Sequence, residues 1–269
     1  MADLKIIVVG ASGRMGRANI KGVVNTKDVQ LIGAIDQKGT SAIGQDAGLI
    51  AGLPPLNIKV SDDISPLLDD ADAIIDFSVP KASIALAELA AKHALIHIIG
   101  TTGFTQSEEQ QLQNIAKSGA IIVKSGNMSL GVNLLAALVK KAASVLGRDF
   151  DIEIVEMHHN KKIDAPSGTA LLLGEAAAEG RNIDLASNST KERSGIIGER
   201  EVGTIGFATL RGGSVIGEHS VILAGASERI ELSHKAEDRS LFTKGAIKAV
   251  LWAQNKKAGI YSMNDVLDI

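Results

Sequence analysis

Between His158 and Thr169 the chain reads His-His-Asn-Lys-Lys-Ile-Asp-Ala-Pro-Ser-Gly-Thr, two imidazoles and two ammonium groups followed by a helix start. Imidazoles can carry a proton near neutral pH. Ammonium groups and the N–H groups of a helix N-terminus both attract anions. The set suits a small anionic substrate that takes up a proton as it reacts. Taken singly, each member has a bland reading: His-His pairs are usually structural, Ser167 serves as an N-cap, and Lys161 is a solvated charge. A metal site is not expected. The chain has no cysteine and no His-Glu-x-x-His, and neighbouring strand residues point to opposite faces. A protonation of this kind needs a partner reaction, and therefore a cofactor.

The elements around the cluster explain how it is presented. Upstream, Ile152, Ile154 and Met157 interleave with Glu153, Val155 and Glu156 and predict a strand; downstream, Pro166-Ser-Gly-Thr opens a helix over Ala170-Leu-Leu-Leu. The cofactor signal lies at the other end of the chain. The apolar run Lys5–Val9 leads into Gly10-Ala-Ser-Gly13-Arg-Met-Gly16 and a helix to about Val24, the strand–turn–helix context of a dinucleotide site. Ser12 stands at the usual second glycine. The next strand, Gln30 to Asp36, ends in an acid twenty residues after Gly16, where a ribose-binding carboxylate is expected. Arg14 and Lys38 lie close enough in sequence to neutralise a 2′-phosphate, so NADPH stays open beside NADH.

Strand–helix alternation continues through Ala71–Ser78, a helix from Pro80 to His93, Leu95–Gly100, a helix capped by Ser107-Glu-Glu-Gln110, and Ala120–Lys124. Thr101-Thr-Gly103 and Ser125-Gly-Asn-Met128 put small polar residues at strand C-terminal ends, where open α/β sheets bind ligands. Phe77, His93 and His97 are read as structural. A long helix, Gly131–Leu146, bridges to the second half. There a polar loop, Arg181 to Arg200, precedes strand-like runs over 202–211, 214–224 and 228–235, with Gly212-Gly213 and Gly225-Ala-Ser227 as tight connections. One face of that sheet would need covering, by another subunit on this reading. A last helix, Ser240 to Asn255, docks on the first domain. The expected fold is α/β: a Rossmann-type doubly wound parallel sheet plus a smaller α+β domain with a mixed or antiparallel sheet. The division is 1–128, completed by 240–269, and 129–239.

Composition bounds the partners. With 269 residues, 45% hydrophobic and a net charge of −3, the chain is globular and offers no basic field for nucleic acid. No signal pattern and no apolar run approaching a membrane span is read, so a cytoplasmic protein without membrane partner is expected.

The block Glu156-Met-His-His-Asn-Lys-Lys-Ile-Asp-Ala-Pro-Ser-Gly-Thr-Ala170 resembles the signature of the dihydrodipicolinate reductases of lysine and diaminopimelate biosynthesis. The likeness extends to Gly10–Gly16, Asp76-Phe-Ser78, Gly100–Gly103, Asn127–Asn133, Gly203–Phe207, Gly217–His219 and Ser233–Ala236. It implies an NADH- or NADPH-dependent reduction of 4-hydroxy-tetrahydrodipicolinate to tetrahydrodipicolinate. It sets His158 and Lys162 at the proton-donor positions, and His159, Gly168 and Thr169 at substrate-binding positions. It sets Gly10, Ala11, Ser12, Gly13, Arg14, Met15, Asp36, Gly100, Thr101, Thr102, Ser125, Gly126, Asn127 and Met128 at cofactor positions. A homotetramer through the second domain's sheet is implied as well. Gln37 replaces the Arg that some members carry after the ribose-binding acid, which leaves the NADH/NADPH balance open; Asn160 replaces a residue that is often basic. Chemistry agrees with the resemblance: hydride arriving at an unsaturated ring must be followed by a proton, and two substrate carboxylates need fixed donors such as Lys162 and the Ser167–Thr169 helix start. Two other classes stay open at this point, a reductase of some other small carboxylate or semialdehyde and a non-enzymatic dinucleotide-sensing regulator.

Overall fold

The structure is a computed structural model and describes residues 3–269. The described chain divides into two compact units, one of residues 3–130 and 239–268 and one of residues 131–238 with Ile269.

In the first unit, β1 (Leu4–Val9), α1 (Arg14–Val24), β2 (Val29–Ile35), α2 (Ala47–Ile50) and β3 (Val60–Ser61) come first. β4 (Ala73–Asp76), α3 (Pro80–His93), β5 (Ile96–Ile99), α4 (Gln106–Lys117) and β6 (Ile121–Lys124) follow. The short central strands are buried on both faces, which is why they read as unbroken apolar runs. Alternate residues feed two separate cores. Ile6, Val8, Ile75, Ile98 and Val123 pack in one; Ile7, Val9, Ile74, Ile99 and Ile122 pack in the other, with Leu86 and Ala90 of α3 and Leu112 and Ala116 of α4. Each fully buried Ile of this kind contributes about 1.5–3 kcal/mol of transfer free energy.

In the second unit, α5 (Leu130–Leu146), β7 (Asp151–His158), α6 (Gly168–Arg181), β8 (Ser189–Thr190), β9 (Ile205–Arg211), β10 (Glu218–Ala224) and β11 (Arg229–Lys235) build a five-stranded sheet in the order β11-β10-β7-β9-β8. It is mixed: β7 runs parallel to β9 and antiparallel to β10. Cross-strand register sorts its inner face into rows. Ile205–Ile152–Leu223 and Phe207–Ile154–Val221 are apolar and pack against Leu135 and Val139 of α5 and Leu173 and Ala177 of α6. The next row, Thr209–Glu156–His219–His234, is polar, and Arg211–His158 follows it. The sheet therefore changes from core to site along the length of β7.

The chain then returns to the first unit as α7 (Ser240–Ala253), β12 (Gly259–Tyr261) and α8 (Met263–Leu267). β12 pairs in parallel with β6 and completes a seven-stranded, all-parallel sheet ordered β12-β6-β5-β4-β1-β2-β3. Ala246, Ile247, Ala249 and Val250 of α7 join the core that holds Ile20 and Val23 of α1.

Several local expectations are corrected. The cap of α4 is Thr105 with Glu108, two residues before the expected Ser107 frame. The inner face of β7 continues through Glu156 and His158, while Met157 lies on the outer face with Glu153 and Val155. Gly212-Gly213 joins strands that are not neighbours, because β7 lies between β9 and β10; only β10 and β11 form a hairpin. The polar segment after α6 contains β8 and is pinned to the sheet: Arg193 bonds Glu153 at 2.7 and 2.8 Å, and Arg200 bonds Glu153 and Asp151 at 3.0 and 2.9 Å. Finally, Leu130–Asp149 is long and apolar enough to cross a membrane by length and composition alone, which the sequence reading did not expect. Lys140 and Lys141 interrupt it, and Lys140 bonds Glu179 of α6 at 2.8 Å.

Candidate active site

The first unit presents four loops at the C-terminal ends of its parallel strands. Gly10–Gly13 links β1 to α1, and Asp36 ends β2. Gly100–Thr102 follows β5, and Ser125–Met128 follows β6. Each of the expected cofactor residues therefore lies on one edge of one sheet. Their conformations match a dinucleotide cradle. Gly10 has φ +74°, and a Cβ on Gly16 would lie 1.9 Å from the Gly10 carbonyl oxygen, so helix and turn meet backbone to backbone. Gly13 is the N-cap of α1, and no side chain caps that helix or places an acid in its first turn. The Asp36 carboxylate accepts the Ser12 N–H at 2.6 Å and the Gln37 N–H at 2.7 Å, which ties the β2 end to the glycine turn. Arg14 and Lys38 are exposed. These features fit a pyrophosphate at α1 and a ribose at Asp36.

Two of the expected residues are placed differently from the rest. Met128 is 1% exposed and packs in the core, so only its backbone faces the loop. Thr101 is buried and accepts the Ser78 N–H at 2.9 Å. Beneath it sits Asp76, fully buried, accepting from the Ser78 and Ser83 hydroxyls and lying 3.3 Å from His97 Nε2. Burial pushes the Asp76 carboxyl up, but the His97 ring and the two serines together hold it below the usual carboxylate range. The sequence reading quoted Asp76-Phe-Ser78 in the family likeness but gave Asp76 and Ser78 no role beyond a strand end. Phe77 lies against Gly100, where a Cβ would come within 2.3 Å of the ring.

The second unit gathers the remaining site residues on the polar rows of its sheet. His158 ends β7, 8% exposed, with Nδ1 2.6 Å from Glu156 Oε2. Glu156 is 1% exposed and also receives two bonds from Arg211, 2.7 Å to Oε2 and 2.9 Å to Oε1, and one from the Ser167 N–H at 3.1 Å. Burial pushes the Glu156 carboxyl up; Arg211 and then His158 outweigh it and hold the group below the usual glutamate range. Arg211 is raised in turn by Glu156 and also donates to the Asp164 carbonyl at 2.8 Å. Ser167 caps α6 by accepting the Ala170 N–H at 3.1 Å, and its Oγ lies 2.8 Å from His219 Nε2. Burial first, then the neighbouring His158, lowers His219 to about 4, which keeps it neutral at physiological pH. Its ring meets His158 edge-on with centroids 5.1 Å apart.

Lys162 is half-buried and bonds both oxygens of Asp164 at 2.9 Å, whereas Lys161 is exposed. Gly168 and Thr169 form the first turn of α6, and His159 follows His158 on the outgoing loop. The structure thus brings His158, Lys162, Ser167, Gly168 and Thr169 to one end of one sheet. Three side chains of this network were given no role in the sequence reading: Glu156, Arg211 and His219. Glu156 was within reach, because a residue two before His158 on a strand shares its face. Arg211 and His219 depend on strand register, which no local pattern carries. Among the described residues, no group of three or more His, Cys, Asp or Glu is placed to hold a metal ion.

The comparisons with known proteins point one way. The family description "Dihydrodipicolinate reductase, N-terminus" matches residues 4–128, and "Dihydrodipicolinate reductase, C-terminus" matches residues 131–267. A 4-hydroxy-tetrahydrodipicolinate reductase of Rhodopseudomonas palustris (strain HaA2) is 57% identical over all of this chain and 99% of its own length. Another, from Brucella abortus (strain 2308), is 56% identical over 98% of both chains. Among solved structures, a dipicolinate-bound dihydrodipicolinate reductase from Paenisporosarcina sp. TG-14 covers 97% of both chains at a TM-score of 0.77 and 23% identity. A probable dehydrogenase from Thermotoga maritima shares the fold at a TM-score of 0.63 and 12% identity, covering 98% of this chain and 92% of its own.

Proposed function

The chain belongs to the dihydrodipicolinate reductase family, and from that premise we propose that it reduces 4-hydroxy-tetrahydrodipicolinate to tetrahydrodipicolinate, with His158 and Lys162 governing the proton. The product has one oxygen fewer than the substrate. One water therefore leaves for each hydride and proton taken up. A nicotinamide dinucleotide, when bound, supplies the hydride. We assign its binding to the first unit, through the Gly10–Met15 turn, Asp36, Lys38, Gly100–Thr102 and Ser125–Met128, and substrate binding to the second.

The observation that carries the reading is the environment of His158. Its Nδ1 is committed to Glu156, so Nε2 is the atom that can exchange a proton. A Cβ on Gly217 would lie 3.0 Å from that nitrogen, so glycine at this position leaves the approach to Nε2 clear. Lys162 is the cation for a substrate carboxylate, a role in which it exchanges Asp164 for the substrate. The N–H groups of Gly168 and Thr169 at the start of α6 serve the second carboxylate, with Ser167 holding the turn and His159 beside it. Asp36 binds the ribose hydroxyls, while Arg14 and Lys38 neutralise a 2′-phosphate; both NADH and NADPH are accepted on this reading, NADH at least competitively.

Assembly follows from the outer face of the five-stranded sheet. Val155, Met157, Ala208, Leu210 and Ser220 lie there in register without a covering helix of their own unit, which supports a homotetramer through this sheet. A cytoplasmic setting fits a biosynthetic reductase. The test of the reaction is nicotinamide oxidation on adding the freshly formed condensation product of pyruvate and aspartate semialdehyde to the whole protein. Oxidation that requires this substrate and fails with simple semialdehydes supports the reading; no oxidation with either cofactor overturns it.

A further inference from the structure

Glu156 lies at the centre of the second unit's polar rows, yet it touches neither proposed substrate donor directly. Its carboxylate receives five hydrogen bonds from three places in the chain: two from Arg211 and a long one of 3.5 Å from the Thr209 hydroxyl on β9, one from His158 on its own strand, and one from the Ser167 N–H ahead of α6. Two fall on Oε2 and three on Oε1, which fills the acceptor capacity of an ionised carboxylate. A carboxylate so occupied has no hydrogen to give. The hydrogen in the 2.6 Å contact with His158 therefore sits on Nδ1 of the ring.

We propose that Glu156 is the positioning residue of the reaction: it holds His158 in the tautomer protonated at Nδ1, so that Nε2 alone exchanges protons, and it fixes that ring relative to the start of α6. The inference rests on the reading of His158 as the proton-carrying residue. Free imidazole favours the opposite tautomer, and a ring held the wrong way round presents N–H where a bare nitrogen is needed, or the reverse. The same carboxylate orients the Ser167 turn, so one group sets both the proton carrier and the helix start that receives the substrate. Arg211 keeps Glu156 charged and joins it to the main-chain carbonyl of Asp164, whose carboxylate is Lys162's partner. The charged and titratable groups facing this centre are Glu156, Arg211, His219, Lys162 and Asp164. Of these, His219 stays neutral.

A purely structural reading is weighed by the same contacts. A buried Arg–Glu pair contributes little stability beyond an apolar pair of the same volume, because desolvation offsets the Coulomb gain. The Glu156–Arg211 pair needs none of the His158 bond to stand. A structural role thus predicts no tautomer preference at His158.

The decisive measurement is 15N NMR of the full-length protein labelled in histidine, with His158→Gln assigning the resonances. In the unsubstituted protein at alkaline pH, His158 should show a protonated Nδ1 and a bare Nε2; a ring protonated at Nε2 overturns the proposal without recourse to any variant at Glu156. Glu156→Gln should shift the ring towards the Nε2-protonated form and lower kcat ~10–100-fold, with KM for the cofactor within about twofold. Glu156→Asp keeps the charge but falls one methylene short of the ring, and should remain as slow. Full activity in either variant overturns the proposal. Turnover of the unsubstituted protein is assayed separately: its failure removes the proposed reaction, whereas the tautomer result tests the positioning role by itself.

Discussion

At the start of α1 no side chain closes the first turn: Gly13 holds the N-cap position, Gly10 and Gly16 meet through bare backbone, and no acid stands nearby in the helix. At the start of α6 the opposite is found, with Ser167 bonding Ala170, its hydroxyl meeting His219, and its own N–H turned to Glu156. In the proposed reading the first helix start takes a pyrophosphate by lacking side chains: that group is the same in every dinucleotide, and main-chain N–H groups with a clear approach suffice for it. The second is a network in which each side chain fixes the next, which suits the proposed substrate, one that receives a proton at one atom. The two kinds of site should fail differently when altered, by steric closure in the first and by loss of alignment or charge in the second.

The sharpest separation of the two comes from His158→Gln. Loss of one general acid typically slows turnover about 10²–10⁴-fold. We expect kcat to fall in that range while calorimetry shows cofactor affinity unchanged. Lys162→Met should lower kcat and raise KM for the substrate together, and exposed Lys161→Met should be silent; equal losses at the two lysines would remove Lys162 from its role. The mirror experiment is Gly16→Ala. Its Cβ would lie 1.9 Å from the Gly10 oxygen and 2.8 Å from Ala11 Cα, both backbone, so the turn has to open. Overpacking of this kind costs ~1–3 kcal/mol, and cofactor Kd should rise on the order of 10–100-fold with the His158 tautomer unaltered.

A smaller effect tests the network through pH. His219 is lowered to about 4 in the fold against an ordinary value near 6.5. Below about pH 6.5 the unfolded chain binds a proton there that the native chain refuses, so stability falls as pH falls. The slope is about 1.4 kcal/mol per pH unit, and the total is on the order of 3 kcal/mol by pH 4. Urea unfolding at pH 7 and pH 5 should show this slope, and His219→Gln should flatten it; an unchanged slope would mean that His219 is not held neutral. The least change is expected at Lys38→Ala, an exposed charge worth no more than about a fivefold rise in KM for NADPH and nothing for NADH. An unaltered NADPH constant would leave Arg14 as the sole candidate for the 2′-phosphate.

The two regions were also unequally legible in the sequence. The first unit announced itself through local signals: a glycine turn between strand and helix, an acid at the end of β2, and apolar runs buried on both faces. Its errors were local too. Ser107-Glu-Glu-Gln110 and Thr105-Gln-Ser-Glu108 both satisfy the capping pattern, and only the position of Leu112 and Ala116 against the core selects the second. β12 is a three-residue edge strand, Gly-Ile-Tyr, too short to carry a period. In the second unit the reactive residues were visible but their supports were not. A two-residue period through Ile152 and Ile154 puts Glu156 inside and Met157 outside, yet hydrophobicity argues the reverse. What makes a buried glutamate tolerable is Arg211, fifty-five residues later on a parallel neighbour. That pairing, like the placement of β7 between β9 and β10, is a property of the sheet and not of any segment.

One consequence concerns the order in which the molecule is made. Every strand and helix of the second unit has been made by Asp238, whereas the first still lacks the α7 face of its core and the strand that covers β6. Thr243, whose hydroxyl bonds buried Asn19 at 2.8 Å, joins the last part of the chain to the first helix. If folding follows synthesis, the order is the reverse of the usual N-to-C schedule: the strands of the inserted unit are all made before α7 and β12 close the sheet on which the glycine turn is mounted.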